Sequence, residues 1–286
     1  MLTIAEAFSM KVGVYIFPTV YAIEVRDLAK NLEVRGLESL FVPEHTHIPA
    51  NRSSPFPGGG SLPREYSHTL DPFIALMAAA SQTKNLRIAT GICLLSERDP
   101  IVTAKAVASL DHLSNGRFEL GLGAGWNAEE MGNHGTRFED RFRVMVDRAK
   151  AMKEIWTNEE ASYESEFVQF EPLWSWPKPM QKPHPPILLG GETDYTLQRV
   201  VDFADGWLPR GNKMADPIAA MDRLRKHADS AGRDMKSISV SIFRAAADQG
   251  YLEKCREAGI DRVLLPLPSE ERDTVLPLLD KYTNLL

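Results

Sequence analysis

The chain has 286 residues, 43% of them hydrophobic and 25% charged, with a net charge of −6. That composition is ordinary for a globular domain, and an acidic balance with no basic run excludes a nucleic-acid-binding surface on electrostatic grounds. Cys93 and Cys255 make neither a metal spacing nor a disulfide framework, no stretch reaches the roughly 20 apolar residues of a bilayer span, and MLTIAEAFSM lacks a signal-peptide pattern, so a reducing, cytoplasmic setting without a membrane is expected.

Residues 1–10 read as a short appendage and 11–286 as one domain. The first apolar run is KVGVYIFP (11–18), followed by a helical pattern over 23–35 that stops at Gly36. SLFVPEH (39–45) comes next. A long Pro/Gly/Ser-rich connection, 46–71, leads to a helix near 72–83. LRIATGICLL (86–95), a helix near 100–113, FELGLGAGW (118–126) and a long helix near 137–157 follow. After an aromatic and proline-rich insertion over 158–184, four runs remain: PPILLGG (185–191), GWLPRG (206–211), SISVSIF (237–243) and DRVLLPLP (261–268). Helical patterns near 193–204, 216–231, 248–258 and 270–284 separate and follow them. Near-continuous apolar runs are strands buried on both faces. Eight strands alternating with helices predict an α/β fold, a (β/α)8 TIM barrel with insertions after strands 2 and 4.

In such a barrel the chemistry sits at the carboxyl ends of the strands. The alternating Gly121, Gly123 and Gly125 in the fourth strand lack the spacing and the downstream acid of a dinucleotide fingerprint. On one strand face they let another backbone or a flat ligand approach, or they relieve crowding inside the barrel. Gly190 and Gly191, followed by Glu192, Thr193 and a helix start, suit either a phosphate or a plain strand-to-helix turn capped by Thr193 or Asp194. The pair His45 and His47 invites a metal reading, but the other strand ends supply no further ligands, and no metal is expected. His45, at the second strand end, suits proton handling or a cofactor contact. His47, His68, His134 and His184 read as loop residues, the last three solvated, and His112 as a charge partner for its helix C-terminus. Phe170, Trp174 and Trp176 read as packing the insertion onto the barrel.

The stretches LSNGRFELGLGAGWNAEEMGNHG, LDPFIALMAAASQTKNLRIATGICLL, RDPIVTAKAVASLDHLSNGRF and PPILLGGETDYTLQRVVDFADGW together resemble the luciferase-like monooxygenase superfamily of flavin and deazaflavin enzymes. The loop SPFPGGGSLPREYSHTLDP looks like its probable coenzyme F420-dependent oxidoreductase branch. The resemblance covers nearly the whole chain. It implies an isoalloxazine-type ring at the barrel mouth, a cis Gly91–Ile92 bond ending the third strand, an acid–histidine pair at Glu44 and His45, and phosphate contacts at Gly190, Gly191, Glu192 and Thr193. Gly123 borders the ring, Trp126 and Asn127 stand at the mouth, and Arg210 meets an acidic tail or the substrate. One branch of the family carries a glutamate proton donor just after the strand-four glycines. Trp126 stands there in this chain, and an indole is no general acid. Glu129 and Glu130, a few residues on, are expected to serve structure. The expected function is hydride transfer between F420 and a small organic substrate, in a homodimer with His45 as the catalytic residue. The alternatives are an FMN-dependent two-component monooxygenase, a non-catalytic flavin-binding barrel, and a metal hydrolase using His45 and His47.

Overall fold

A computed structural model describes residues 10–286. Eight parallel strands close on themselves: β1 (Lys11–Tyr15), β2 (Ser39–Val42), β3 (Arg87–Thr90), β5 (Phe118–Gly123), β8 (Ile187–Gly190), β9 (Gly206–Leu208), β10 (Ser239–Phe243) and β11 (Arg262–Pro266). A two-residue strand, β4 (Cys93–Leu94), pairs with β5 beyond the end of β3. The closure is direct, since β1 lies in register with β11 from Lys11↔Arg262 to Tyr15↔Pro266. The expected barrel is therefore present. The expected appendage lies outside the described residues except for Met10, which is buried in the apolar cluster between barrel and helices.

Local sequence sets the helix starts. Asp71-Pro72, Asp99-Pro100 and Asp216-Pro217 each place an aspartate that accepts backbone N–H groups at the N-cap and a proline at the first turn. These open α3 (Pro72–Ala80), α4 (Pro100–Leu113) and α8 (Pro217–Ser230). Glycines in the left-handed region, Gly36, Gly116, Gly232 and Gly259, follow α1 (Val25–Val34), α4, α8 and α9 (Gln249–Glu257). The remaining elements are α2 (Glu65–His68), α5 (Ala128–Asn133), α6 (Arg141–Thr157), α7 (Asp194–Phe203), α10 (Arg272–Thr283), and an antiparallel hairpin of β6 (Ala161–Glu164) and β7 (Gln169–Leu173).

The structure departs from what the sequence leads one to expect at several points, His68 ending the short α2 among them. The run 86–95 is not one strand: the chain leaves the sheet after Thr90 and rejoins it at Cys93. The stretch after β5 is not irregular as far as Arg137, because Asn127 caps the short α5. His184 is buried beside Trp156 rather than solvated. Trp174 and Trp176 are 75% and 57% exposed and do not pack the insertion onto the barrel, whereas Phe170 does rest against the core.

The barrel interior has two zones. Toward the carboxyl ends, Tyr15, Phe41, Ala89, Leu188, Leu208 and Leu264 form an apolar layer. At the opposite end, Arg262 donates from both terminal nitrogens to Glu119 at 2.8 Å, and from Nε to Glu38 at 2.8 Å. Arg87 Nε also pairs with Glu119 Oε1, the oxygen that accepts Arg262 Nη2. These cations outweigh burial and hold Glu119 down at about 2, below the ordinary carboxylate range. The floor is thus ionic and satisfied, and the mouth is the end left open.

Candidate active site

The open end holds a cavity of about 350 Å³, within the usual range for a small-molecule site. Every barrel strand except β11 sends residues into it: Tyr15 and Phe17, Glu44 and His45, Gly91 and Ile92, Gly123 to Trp126, Gly190 and Gly191, Leu208 and Arg210, and Phe243 and Arg244. From the 46–71 connection come Phe56, Pro57, Gly58 and Tyr66. The rings of Phe17, His45, Phe56, Tyr66 and Trp126 form a contiguous aromatic wall, with centroids 4.5 to 6.0 Å apart. The connection is tied down from outside. Glu129 Oε1 accepts the backbone N–H of Ser53 at 2.8 Å and of Ser54 at 3.1 Å, and the Arg52 guanidinium lies over Trp126.

The glycines of β5, the fourth barrel strand, make room for the chain beside them. A Cβ on Gly121 would meet the carbonyl oxygen of Thr90 at 2.1 Å, and one on Gly123 would meet Ile92 Cδ1 at 1.7 Å. Between Thr90 and Cys93 the backbone swings inward through a cis Gly91–Ile92 bond and delivers the Ile92 side chain to the cavity wall. Of the readings left open by the sequence, close approach of another backbone is the one the structure displays at Gly121. Gly123 borders the cavity with its side-chain space already filled by Ile92.

His45 is buried, and its Nδ1 lies 2.7 Å from Glu130 Oε2. The other oxygen of Glu130 accepts the Thr46 N–H at 3.1 Å, and the carboxylate is fully buried. With Nδ1 committed to a carboxylate, the ring presents Nε2 as its free nitrogen. Glu130 is thus more than a scaffold residue. Its spacing from Asn127, the cap three residues earlier, was the available sequence signal. Glu44 also lines the cavity, but its carboxylate accepts the Leu94 N–H at 2.7 Å and pairs with Arg98, so it holds the bulge in place. Arg98 in turn reaches Asp71.

Glu97, which the sequence reading did not single out, lies behind Gly125. A Cβ on Gly125 would sit 3.1 Å from its Oε1. Neither oxygen has a hydrogen-bond partner among the described residues. Burial, with the Glu130 and Glu44 charges nearby, pushes this carboxyl up to about 9.

Three expected contacts need correction. Asn127 is 1% exposed and does not line the cavity, because its Oδ1 caps α5 by accepting the Glu130 N–H. Its Nδ2 is buried and has no hydrogen-bond partner among the described residues. Thr193 caps α7 through the Thr196 N–H and stands outside the lining. Glu192 turns away to form a two-pronged pair with Arg210, at 2.8 and 2.7 Å. Arg210 does line the cavity, with its charge already met. Gly190 and Gly191 remain at the wall, directly before the N-terminus of α7, and the φ of 119° at Gly191 is one that only glycine adopts without strain. Backbone N–H groups at such a helix start, with no side chain in the way, suit a phosphate. A flat apolar wall, a glycine-lined anion cradle and a buried histidine therefore share one cavity, and they fit a phosphate-bearing ring cofactor. Among the described residues, no three His, Cys, Asp or Glu side chains converge as metal ligands, and no helix is long and apolar enough to cross a membrane.

Comparison with known proteins matches residues 10–253 to the luciferase-like monooxygenase family. An uncharacterised protein of Mycobacterium tuberculosis is 37% identical over 97% of this chain and 99% of its own length. An FMNH2-dependent dimethylsulfone monooxygenase of Pseudomonas putida is 30% identical over 61% of this chain, which spans about half (47%) of that enzyme. The coenzyme F420-dependent tetrahydromethanopterin reductase of Methanopyrus kandleri superposes with a TM-score of 0.74 at 15% identity, covering 97% of this chain and 98% of that one, and so shares its fold.

Proposed function

The chain belongs to the luciferase-like monooxygenase family, and from that premise we propose that it is an oxidoreductase that uses coenzyme F420 to reduce or oxidise a small organic substrate. The observation that carries the reading is the coincidence, in one cavity, of the Ile92 wall, the Gly190–Gly191 cradle and the free Nε2 of His45. The similarity of the loop SPFPGGGSLPREYSHTLDP to the F420-dependent branch of the family favours the deazaflavin.

When bound, the cofactor supplies the hydride chemistry. The protein's residues do the rest. Gly190 and Gly191 with the start of α7 hold the phosphate end. Ile92, Leu208 and Phe243 present an apolar surface to the ring. Phe56, Tyr66 and Trp126 roof the cavity and exclude water. His45 holds or delivers a proton at Nε2, while Glu130 fixes its ring and tautomer. Titration of the purified protein with F420 and with FMN tests the reading. Micromolar F420 binding with weaker FMN binding is expected. Tight FMN binding without F420 binding would transfer the site to an FMN-dependent monooxygenase.

A further inference from the structure

Two arginines line the cavity, and they differ in what they hold. Arg210 is spent on Glu192. Arg244 makes no side-chain hydrogen bond, ion pair or ring contact with any described residue. Its position is not loose. The backbone at Arg244 has φ 58°, a left-handed conformation unusual for a residue other than glycine. It is fixed on both sides: the Phe243 N–H donates to Pro209 at 2.8 Å and the Ala245 N–H to Leu264 at 3.0 Å. Gly211 packs so tightly beneath that a Cβ there would lie 2.4 Å from the Arg244 carbonyl oxygen. The fold thus holds an exposed cationic side chain at the cavity mouth, on a left-handed backbone conformation kept by its surroundings.

Among the described residues no carboxylate lies within ion-pair distance of Arg244. Glu44 pairs with Arg98, Glu192 pairs with Arg210, Glu130 is hydrogen-bonded to His45, and Glu65, whose charge also reaches Tyr15 and Tyr66, stands outside the cavity lining. Beside Arg244 stand the phenols of Tyr15 and Tyr66, both feeling its charge, and neither hydroxyl has a hydrogen-bond partner among the described residues. Burial raises both, Tyr15 to about 12, so they stay protonated and available as donors. Phe17, Phe56 and Phe243 line the same cavity.

We propose that Arg244, with the hydroxyls of Tyr15 and Tyr66, binds a carboxylate-class anionic group on the substrate, whose apolar body lies against Phe17, Phe56 and Phe243. This rests on the reading of the cavity as an oxidoreductase active site. An anion there could also belong to the cofactor's phosphate end, which the Gly190–Gly191 cradle otherwise takes.

Calorimetric titration of the full chain with cinnamate and with uncharged cinnamamide tests the assignment, with F420, FMN and inorganic phosphate titrated in parallel. The wild type is expected to bind cinnamate about tenfold or more tightly than cinnamamide, as a charge-assisted pair should allow. Arg244→Gln should abolish that preference, Arg244→Lys should keep part of it, and F420 binding should stay within about threefold in both. Matched melting temperatures exclude misfolding, and Arg244→Lys preserves the charge if the glutamine variant is unstable. Equal affinity of the wild type for the two probes, or no binding of either, overturns the proposal. So does a glutamine variant that loses F420 or phosphate affinity instead of cinnamate affinity. If neither F420 nor FMN binds while the Arg244-dependent cinnamate preference persists, the cofactor reading falls and the anion site stands.

Discussion

Glu97 and His45 share Glu130 as a neighbour, by charge for the one and by hydrogen bond for the other. The Glu97 carboxyl keeps its proton up to about pH 9 in the folded chain, but ionises in the ordinary carboxylate range when unfolded. Between those limits the folded state binds a proton that the unfolded state has lost. Stability is therefore full below the unfolded value and falls as pH rises across the window. Glu97→Gln should flatten that slope and add about 1–3 kcal/mol near neutral pH, read from melting temperatures between acid and mildly alkaline buffers. His45 has its buried partner, and the test there is kinetic. His45→Gln should lower turnover by about 10²–10⁴-fold with little change in F420 affinity. Glu130→Gln should keep the ring in place and lower turnover by less, whereas Glu130→Ala, which frees the ring, should approach the loss seen for His45→Gln. Wild-type turnover in Glu130→Ala would remove Glu130 from any part in positioning the imidazole.

The elements show why some of this was legible and some not. Strand positions could be read because each barrel strand is apolar on both faces, and helix starts because an Asp-Pro pair serves as cap and first turn together. The inward turn between β3 and β4 could not be read from the apolar pattern, since LRIATGICLL stays apolar through it. Its trace was left instead in the neighbouring strand, at Gly121 and Gly123. Each glycine gives its own prediction. The neighbour of Gly121 is backbone, so Gly121→Ala should destabilise by about 1–3 kcal/mol, measured by denaturant unfolding. The neighbour of Gly123 is the tip of Ile92, which can move, so Gly123→Ala should fold and lose cofactor affinity as Ile92 is pushed into the cavity. Tight cofactor binding by Gly123→Ala would separate Ile92 from the ring wall. The site residues were partly legible as strand ends. Which of them were already spoken for was not, because Glu192–Arg210 and His45–Glu130 are contacts between distant parts of the chain.

At the scale of the whole molecule, the barrel closes its lower end with charge and leaves its upper end open. Arg262 is the centre of that floor, joined to Glu119 and Glu38. Arg262→Met should cost about 3–5 kcal/mol, because it strands a buried carboxylate. Double replacement with Glu119→Leu should recover part of the loss, which equilibrium unfolding can measure. The low position of Glu119 also has a sign: its contribution is present above the ordinary carboxylate range and is lost as pH falls toward about 2. The seam between β1 and β11 has a different consequence, one of time. Lys11 cannot find Arg262 until some 250 intervening residues have been made and brought around, so the first barrel strand waits for the last. Until that seam shuts, β1 and its neighbours expose edges, and a vectorially growing chain carries an unfinished cylinder whose final staple is set only once β11 has emerged.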